Sequence, residues 1–468
     1  ELHAAVARII EERFPEIREA DPELLARHCA GANRIQDAIT YRLRAGEQAR
    51  TRSAYPEAQA QFNEGLQLLQ KMPSSELTIR MEIDLLTALG PVLMATEGQV
   101  SDSVRILYER ARELCAKIGE EKQMFGVTFN FWTTKFLSGD LPLGRALSAE
   151  LLTNAAALSD PGLMLQAQHT SWATQAWSGN LRTALRAADE GRRLYDPVRD
   201  QHHKFLYGGH DPLCCANSMR AMAMWLLGYQ DSAARARDEN HRQMLQLGHP
   251  FTSALIGALD AQFYYLEGDA GGFADATGRV LEISARNGFP ATLAWANACK
   301  GWTMVHHGNA EGLGLMNAAI GGLRKMNMRT LLPFYLGLQA NCLWLRNARA
   351  AALACIDEAL AVAAANDEHY FEPELHRIKG EMLLAADDPQ WDAAQICYLE
   401  AIRVSRRTEA KSLELRAATS LAKLWQSQGK RKEASDLLTP IYNWFTEGFD
   451  TKDLKEAKAL MDELGTSR

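Results

Sequence analysis

Eight potential metal ligands crowd the stretch from Asp196 to Cys215: Asp196, Asp200, His202, His203, His210, Asp211, Cys214 and Cys215. Imidazole, thiolate and carboxylate together can bind zinc and activate a water, so a metal-dependent enzyme would use His202, His203, His210 and Cys214 as ligands. Adjacent His-His and Cys-Cys pairs, however, converge on one ion only through a special turn. The segment therefore reads as a solvated loop leading into a helix that carries both cysteines, and the chain is expected to hold no metal and no cofactor.

Other candidates reduce to structure in the same way. His306-His307 precede Gly308 and suit the negative end of a helix dipole. Asp357-Glu358 and Asp387-Asp388 have no apolar surroundings to raise a carboxyl pKa for acid/base work. Arg403, Arg406 and Arg407 are flanked by Glu400 and Glu409, and the net charge is −7, so no basic face for nucleic acid is expected. There is no G-x-x-x-x-G-K-S/T, G-x-G-x-x-G, H-E-x-x-H or G-x-S-x-G. No catalytic residue is expected in this chain.

The elements that position these residues repeat. A small residue opens an amphipathic run at Ala58, Ser103, Gly144, Ala184, Ala233, Gly272 (or Phe273), Gly312, Ala352, Ala394 and Ala434, with spacings from 39 to 49 residues. A turn residue usually stands five positions earlier: Ser53, Gly98, Gly139, Gly179, Gly228, Gly268, Asn347 and Gly429. Small residues let two helices approach, and glycine accepts the positive φ of a helix C-terminus. Sustained period-2 alternation is absent. The spacing predicts an all-α, right-handed α-solenoid of about ten helix-turn-helix repeats of roughly 40 residues. The widest spacing, Ala184 to Ala233, marks an insertion at about 196–212. Residues 1–32 are expected to lie outside the array, which occupies 33–468.

Apolar residues make up 47% and charged residues 23% of 468, enough for a large core. Eight scattered cysteines without C-x-x-C are expected to be reduced thiols in a cytoplasmic protein. No apolar stretch long enough for a membrane span occurs, and the start at Glu1 rather than Met is expected of a piece of a longer polypeptide.

The triplets Gly46, Ala58, Gly65; Ala340, Ala352, Ala359; and Ala422, Ala434, Ile441 resemble the tetratricopeptide repeat in lengthened form, the last residue being a departure. That resemblance implies a concave groove lined by particular first-helix positions. On those positions fall Trp177, Trp225, Tyr265, Trp295, Trp302 and Trp344, a stripe that would serve either as interhelical core or as a partner-binding groove.

A further resemblance spans essentially the whole chain. It is carried by Ala410-Lys411-Ser412-Leu413-Glu414-Leu415-Arg416-Ala417-Ala418, Leu424-Trp425, Gln428-Gly429-Lys430 and Trp444 through Thr451. Phe205-Leu206-Tyr207-Gly208 with Asp211-Pro212, and Gly288-Phe289-Pro290 with Ala294-Trp295, add to it. These stretches are similar to the C-terminal array of bacterial signalling proteins that join an adenylate/guanylate cyclase, or another effector, to a STAND/AAA-type ATPase. The resemblance implies a non-catalytic sensor and regulatory arm whose partner is a protein or peptide, including upstream domains of its own polypeptide. It also implies that residues 1–32 link the array to the ATPase. The competing expectation is a stand-alone scaffold that binds a peptide in its concave groove.

Overall fold

A computed structural model describes residues 1–52 and 54–465, so the turn expected at Ser53 lies outside the described residues. Among the described residues every regular element is a helix and no strand occurs. No described helix is long and apolar enough to cross a membrane. The chain divides into two compact units, Glu1–Thr134 and Lys135–Arg468.

The first unit contains α1 (Leu2–Arg13), α2 (Pro15–Ala20), α3 (Pro22–Gly31), α4 (Ile35–Thr51), α5 (Tyr55–Leu69), α6 (Glu76–Thr96), α7 (Asp102–Ile118) and most of α8 (Glu121–Leu137). Asp21 caps α3 by accepting the Leu24 amide at 3.0 Å, with Pro22 at the first helical position; Pro there has no N–H to leave unsatisfied. The first 32 residues are packed rather than trailing. Ala7 and Ile10 of α1 and Leu25, Ala26 and Cys29 of α3 share a buried cluster with Ala38 and Tyr41 of α4. Arg34 clamps both carboxylate oxygens of Glu11 at 2.9 Å.

The second unit continues with α9 (Leu141–Leu158), α10 (Pro161–Trp177), α11 (Leu181–Leu194), α12 (His203–Leu206), α13 (Pro212–Leu226), α14 (Gln230–Leu247), α15 (Pro250–Glu267) and α16 (Ala270–Asn287). It ends with α17 (Pro290–His306), α18 (Glu311–Lys325), α19 (Leu332–Leu345), α20 (Arg349–Asn366), α21 (Glu372–Leu384), α22 (Trp391–Arg407), α23 (Lys411–Ser427), α24 (Arg431–Tyr442) and α25 (Lys452–Gly465). Each odd-numbered helix from α13 to α23 packs on the even-numbered helix that follows it, and on the next odd-numbered one up to α23. That neighbour-on-neighbour order is the solenoid of tetratricopeptide-like helix pairs expected from the period.

The periodic residues do what their types require. Ala58, Ala184, Ala233, Ala352, Ala394 and Ala434 are buried in the first turn of a second helix. The described turn residues all have positive φ, from 59° at Asn347 to 98° at Gly98. At Gly301 and Gly312 backbone meets backbone: a Cβ on Gly301 would stand 2.5 Å from the Gly312 carbonyl oxygen. Only hydrogen fits between α17 and α18 there.

The insertion is only in part the expected solvated loop: residues 196–199, 201 and 202 are exposed, but it closes as a plug on buried groups. Asp200 is fully buried and receives Arg199 through both oxygens at 2.7 and 2.6 Å, together with the Asp196 amide at 2.9 Å. His210 and Asp211 are buried as well. Cys214 and Cys215 stand on α13, as expected. All eight cysteines are free and buried.

Candidate functional site

Helix C-termini leave carbonyls without intrahelical partners. In the second unit these are satisfied by residues far along the chain. The Leu137 carbonyl accepts the amides of Arg329 and Thr330 at 2.9 and 3.2 Å, and the Trp177 carbonyl accepts those of His369 and Tyr370 at 2.9 and 3.3 Å. The Trp225 carbonyl accepts the Ser412 hydroxyl at 2.6 Å, and Leu266 O receives Arg416 Nη2. The ends of α8, α10, α13 and α15 thus meet the starts of α19, α21 and α23. One turn of the array is seated on the next, with opposite ends of helix dipoles facing.

This seam takes up two residues of the aromatic stripe. Trp177 is buried and packs against Tyr370 at a ring separation of 4.5 Å. Trp225 is buried beneath the Arg416 guanidinium, 5.2 Å from the ring centre. Trp295 is also buried. Trp344 lies apart, under Arg349 at 5.3 Å.

Tyr265 and Trp302 do reach an open space. They contribute to a cleft of about 710 Å³ walled by α15, α16, α17, α21, α22, α23 and the start of α25. Tyr265 meets Trp302 edge-on at 5.6 Å and Phe334 at 5.4 Å, and Phe273 meets Trp302 at 5.1 Å, giving an interlocked aromatic floor. Trp302 Nε1 is buried without a hydrogen-bond partner. Trp391, 45% exposed, stands at the margin.

The opposite wall is ionic. Arg377 grips Glu374 with Nε at 2.9 Å and Nη2 at 2.6 Å, and also reaches Glu381. Arg416 Nε donates to Asp453 Oδ2 at 2.7 Å. Burial opposes ionisation of Glu374, but Arg377 and Arg416 outweigh it and hold its carboxyl below the usual range. Planar bidentate pairs of this kind fix their partners rigidly. The arrangement offers an aromatic surface beside fixed charges of both signs.

The four residues proposed from the sequence as metal ligands do not gather together. His202 is exposed, His203 Nδ1 is 2.9 Å from Gln166 Nε2, and the Cys214 amide donates to Asp211. His210 instead meets His169 of α10, Nε2 to Nε2 at 3.1 Å, beside Cys215. Burial pushes His169 well below, and His210 below, the ordinary histidine pKa. His169 was missed because it lies two helices before the insertion, in a run that reads as core.

No family model matches the chain. An uncharacterized protein of Rhizobium meliloti (strain 1021) is 26% identical over 407 residues, covering 86% of this chain. The chain spans only 39% of that protein's length. Among solved structures, the chain is similar to a signal transduction ATPase with numerous domains that carries a tetratricopeptide repeat sensor, from Pyrococcus horikoshii. The identity is 14% and the TM-score 0.41, over 82% of this chain and 54% of that one. It is also similar to a Rap protein complexed with competence and sporulation factor, with 13% identity and TM-score 0.45 over 73% of this chain and 96% of that one. Yeast Tom70 is 11% identical with TM-score 0.40 over 92% of this chain and 96% of that one.

Proposed function

We propose that the chain is a regulatory and protein-interaction module of a multidomain signalling ATPase or nucleotide cyclase, acting by holding a partner, or another domain of its own polypeptide, in the cleft of the second unit. The observation that carries this reading is the origin of the cleft walls. Tyr265 and Trp302 come from α15 and α17, whereas Arg377 and Arg416 come from α21 and α23, which the seam brings against the ends of earlier helices. An occupant touching both walls would favour one packing of the turns over another, and such differential contact is what a regulatory bias requires. The alignment with a much longer Rhizobium protein suits a module within a larger polypeptide.

The cleft fits a peptide segment with an aromatic or aliphatic anchor next to charged groups. Its guanidiniums already face carboxylates, which disfavours a polyanion such as nucleic acid. Two measurements test the reading. Immunodetection of the native polypeptide with peptide mass mapping should find a band much larger than a 468-residue chain, containing ATPase or cyclase peptides. A band of this chain's own size, with processing excluded, would sink the regulatory role. Trp391→Ala with Lys423→Glu at the cleft margin should then weaken contact with those domains at least tenfold; unchanged contact in a folded variant would remove the cleft from the mechanism.

A further inference from the structure

His169, His210 and Cys215 place two imidazole nitrogens and a sulfur within 4.8 Å of one another, all on buried side chains. They come from three places: α10, the end of the insertion, and the first turn of α13. Their outer partners decide which atoms are presented. His210 Nδ1 lies 2.9 Å from the Gly208 carbonyl oxygen, which can only accept, so Nδ1 carries the proton. His169 Nδ1 lies 3.1 Å from Gln166 Oε1; with the amide in this orientation Nδ1 donates and Nε2 is presented to His210.

Both imidazoles turn Nε2 toward each other at 3.1 Å. A proton shared between the two nitrogens, or a metal ion bound to both, accounts for that separation. A tetrahedral ion about 2.0–2.1 Å from each nitrogen would hold them about 3.3 Å apart. Trp172 Nε1 donates toward Cys215 Sγ at 3.5 Å, favouring the sulfur as an electron-rich acceptor. An Nδ1–H bound to a carbonyl and an N–H aimed at sulfur are the outer-shell contacts that orient metal-binding histidine and cysteine.

We infer that His169, His210 and Cys215 form a binding site for one borderline-soft metal ion of the zinc class. Imidazole and thiolate together select such ions over magnesium or calcium. The ion replaces the thiol proton: Zn²⁺ and the Cys215 thiol give a zinc–thiolate bond and one released H⁺, while both histidines bind without proton loss. Three protein ligands leave one tetrahedral position for a small exogenous ligand. Because Gly208 and His210 belong to the insertion, the ion fastens that plug to α10 and α13.

The test uses the complete chain, stripped with a chelator and then loaded with Zn²⁺, Cu⁺ or Co²⁺ alone. One Zn²⁺ per chain should survive desalting, with about one proton released per ion and a rise in Tm. Retention of Cu⁺ but not Zn²⁺ would overturn the zinc-class assignment. Co²⁺ should give a thiolate-to-metal charge-transfer band and tetrahedral ligand-field bands. Cys215→Ser should abolish that band, and His210→Gln should weaken binding at least tenfold. Cys214→Ser, one residue away, should leave it intact. Helical circular dichroism and the metal-free Tm distinguish loss of the site from loss of fold, and His169→Gln supplies a second variant should Cys215→Ser not fold.

Stoichiometric binding of no ion, or a Co²⁺ spectrum without a thiolate band, would overturn the proposal. The cluster would then be a neutral hydrogen-bonded chain in which the Gln166 amide is turned over and His169 Nε2 donates to His210. Binding that survives all three ligand substitutions would overturn it too, placing the ion elsewhere, for example at the exposed pair His3 and His28.

Discussion

The Trp177 carbonyl accepts the His369 amide at 2.9 Å, and the Trp177 ring lies 4.5 Å from that of Tyr370, the next residue. One helix end thus gains both a hydrogen-bond donor and an aromatic partner from the start of another helix. Beside it, Arg145 donates to Ser178 Oγ at 2.6 Å and to Asp367 Oδ2 at 2.5 Å, across 222 residues of sequence in the latter case. The seam is held by packing as well as polar contact, so its energetics can be divided.

Trp177→Ala should be costly, because the ring is 3% exposed and its loss leaves a void against Tyr370. Truncation of a buried aromatic typically costs about 3–5 kcal/mol. Arg145→Ala should cost under about 1 kcal/mol, since both side chains of that ion pair keep substantial solvent contact. Chemical denaturation followed by circular dichroism measures both. Equal and small losses would mean that the seam contributes little to stability.

The local pairing of helices was legible because it is written in short-range spacing. Gly228 and Asn347 announce helix ends, and Ala352 or Ala394 announces a close helix contact five residues later. The seating of Trp177 on Tyr370 was not legible. A 40-residue period says which helices are neighbours in sequence, but the pitch depends on small rotations accumulated over several repeats. The aromatic stripe was therefore visible while its division was not: Trp177 and Trp225 lie buried in the seam, whereas Tyr265 and Trp302 line the cleft. The ionic wall escaped for the same reason, because Glu374 and Arg377 read as an ordinary helical pair until Arg416 is brought beside them. His169 and His210, 41 residues apart, share no motif and meet only because the insertion folds back.

Two glycines on neighbouring helices should respond oppositely to the same substitution. At Gly301 an added Cβ would strike the backbone oxygen of Gly312 at 2.5 Å, and backbone cannot swing away as a side chain can. Gly301→Ala should therefore destabilise by about 1–3 kcal/mol, the usual penalty of overpacking. Gly314, inside α18, has nothing within 4 Å of the added carbon. Gly314→Ala should stabilise by about 0.4–1 kcal/mol, because alanine has less backbone freedom to lose on folding. Denaturation midpoints decide, and a stabilised Gly301→Ala would show that α17 and α18 separate easily.

Two groups of the second unit, half-buried His369 and buried Asp260, contribute to the dependence of stability on pH. His369 has Nδ1 at 2.7 Å from Glu372 and Nε2 at 2.8 Å from Asp367, so both ring nitrogens donate to carboxylates and the imidazolium is favoured. Its hydrogen bond to Glu372 raises its pKa above 6.5, against burial and the nearby Arg407 charge. A raised histidine binds more protons folded than unfolded, so its contribution is complete below about pH 6.5 and is lost as pH rises through the folded value. Asp260 is pushed up to about 7 by burial, with Arg237 and Arg279 opposing and Asp238 and Glu267 adding to the shift. Unfolding lets it ionise near 3.8, so stability falls as pH rises from about 4 to about 7. Both groups act in the same direction, favouring a lower Tm at pH 8 than at pH 6, whereas His169 and His210, lowered by burial, act in the opposite direction. Asp260→Asn should remove its share by raising Tm at pH 8 relative to wild type, and His369→Gln should remove its share by lowering Tm at pH 6. A Tm difference between pH 6 and 8 that is unchanged in Asp260→Asn and in His369→Gln would mean that neither group holds its proton in the folded chain.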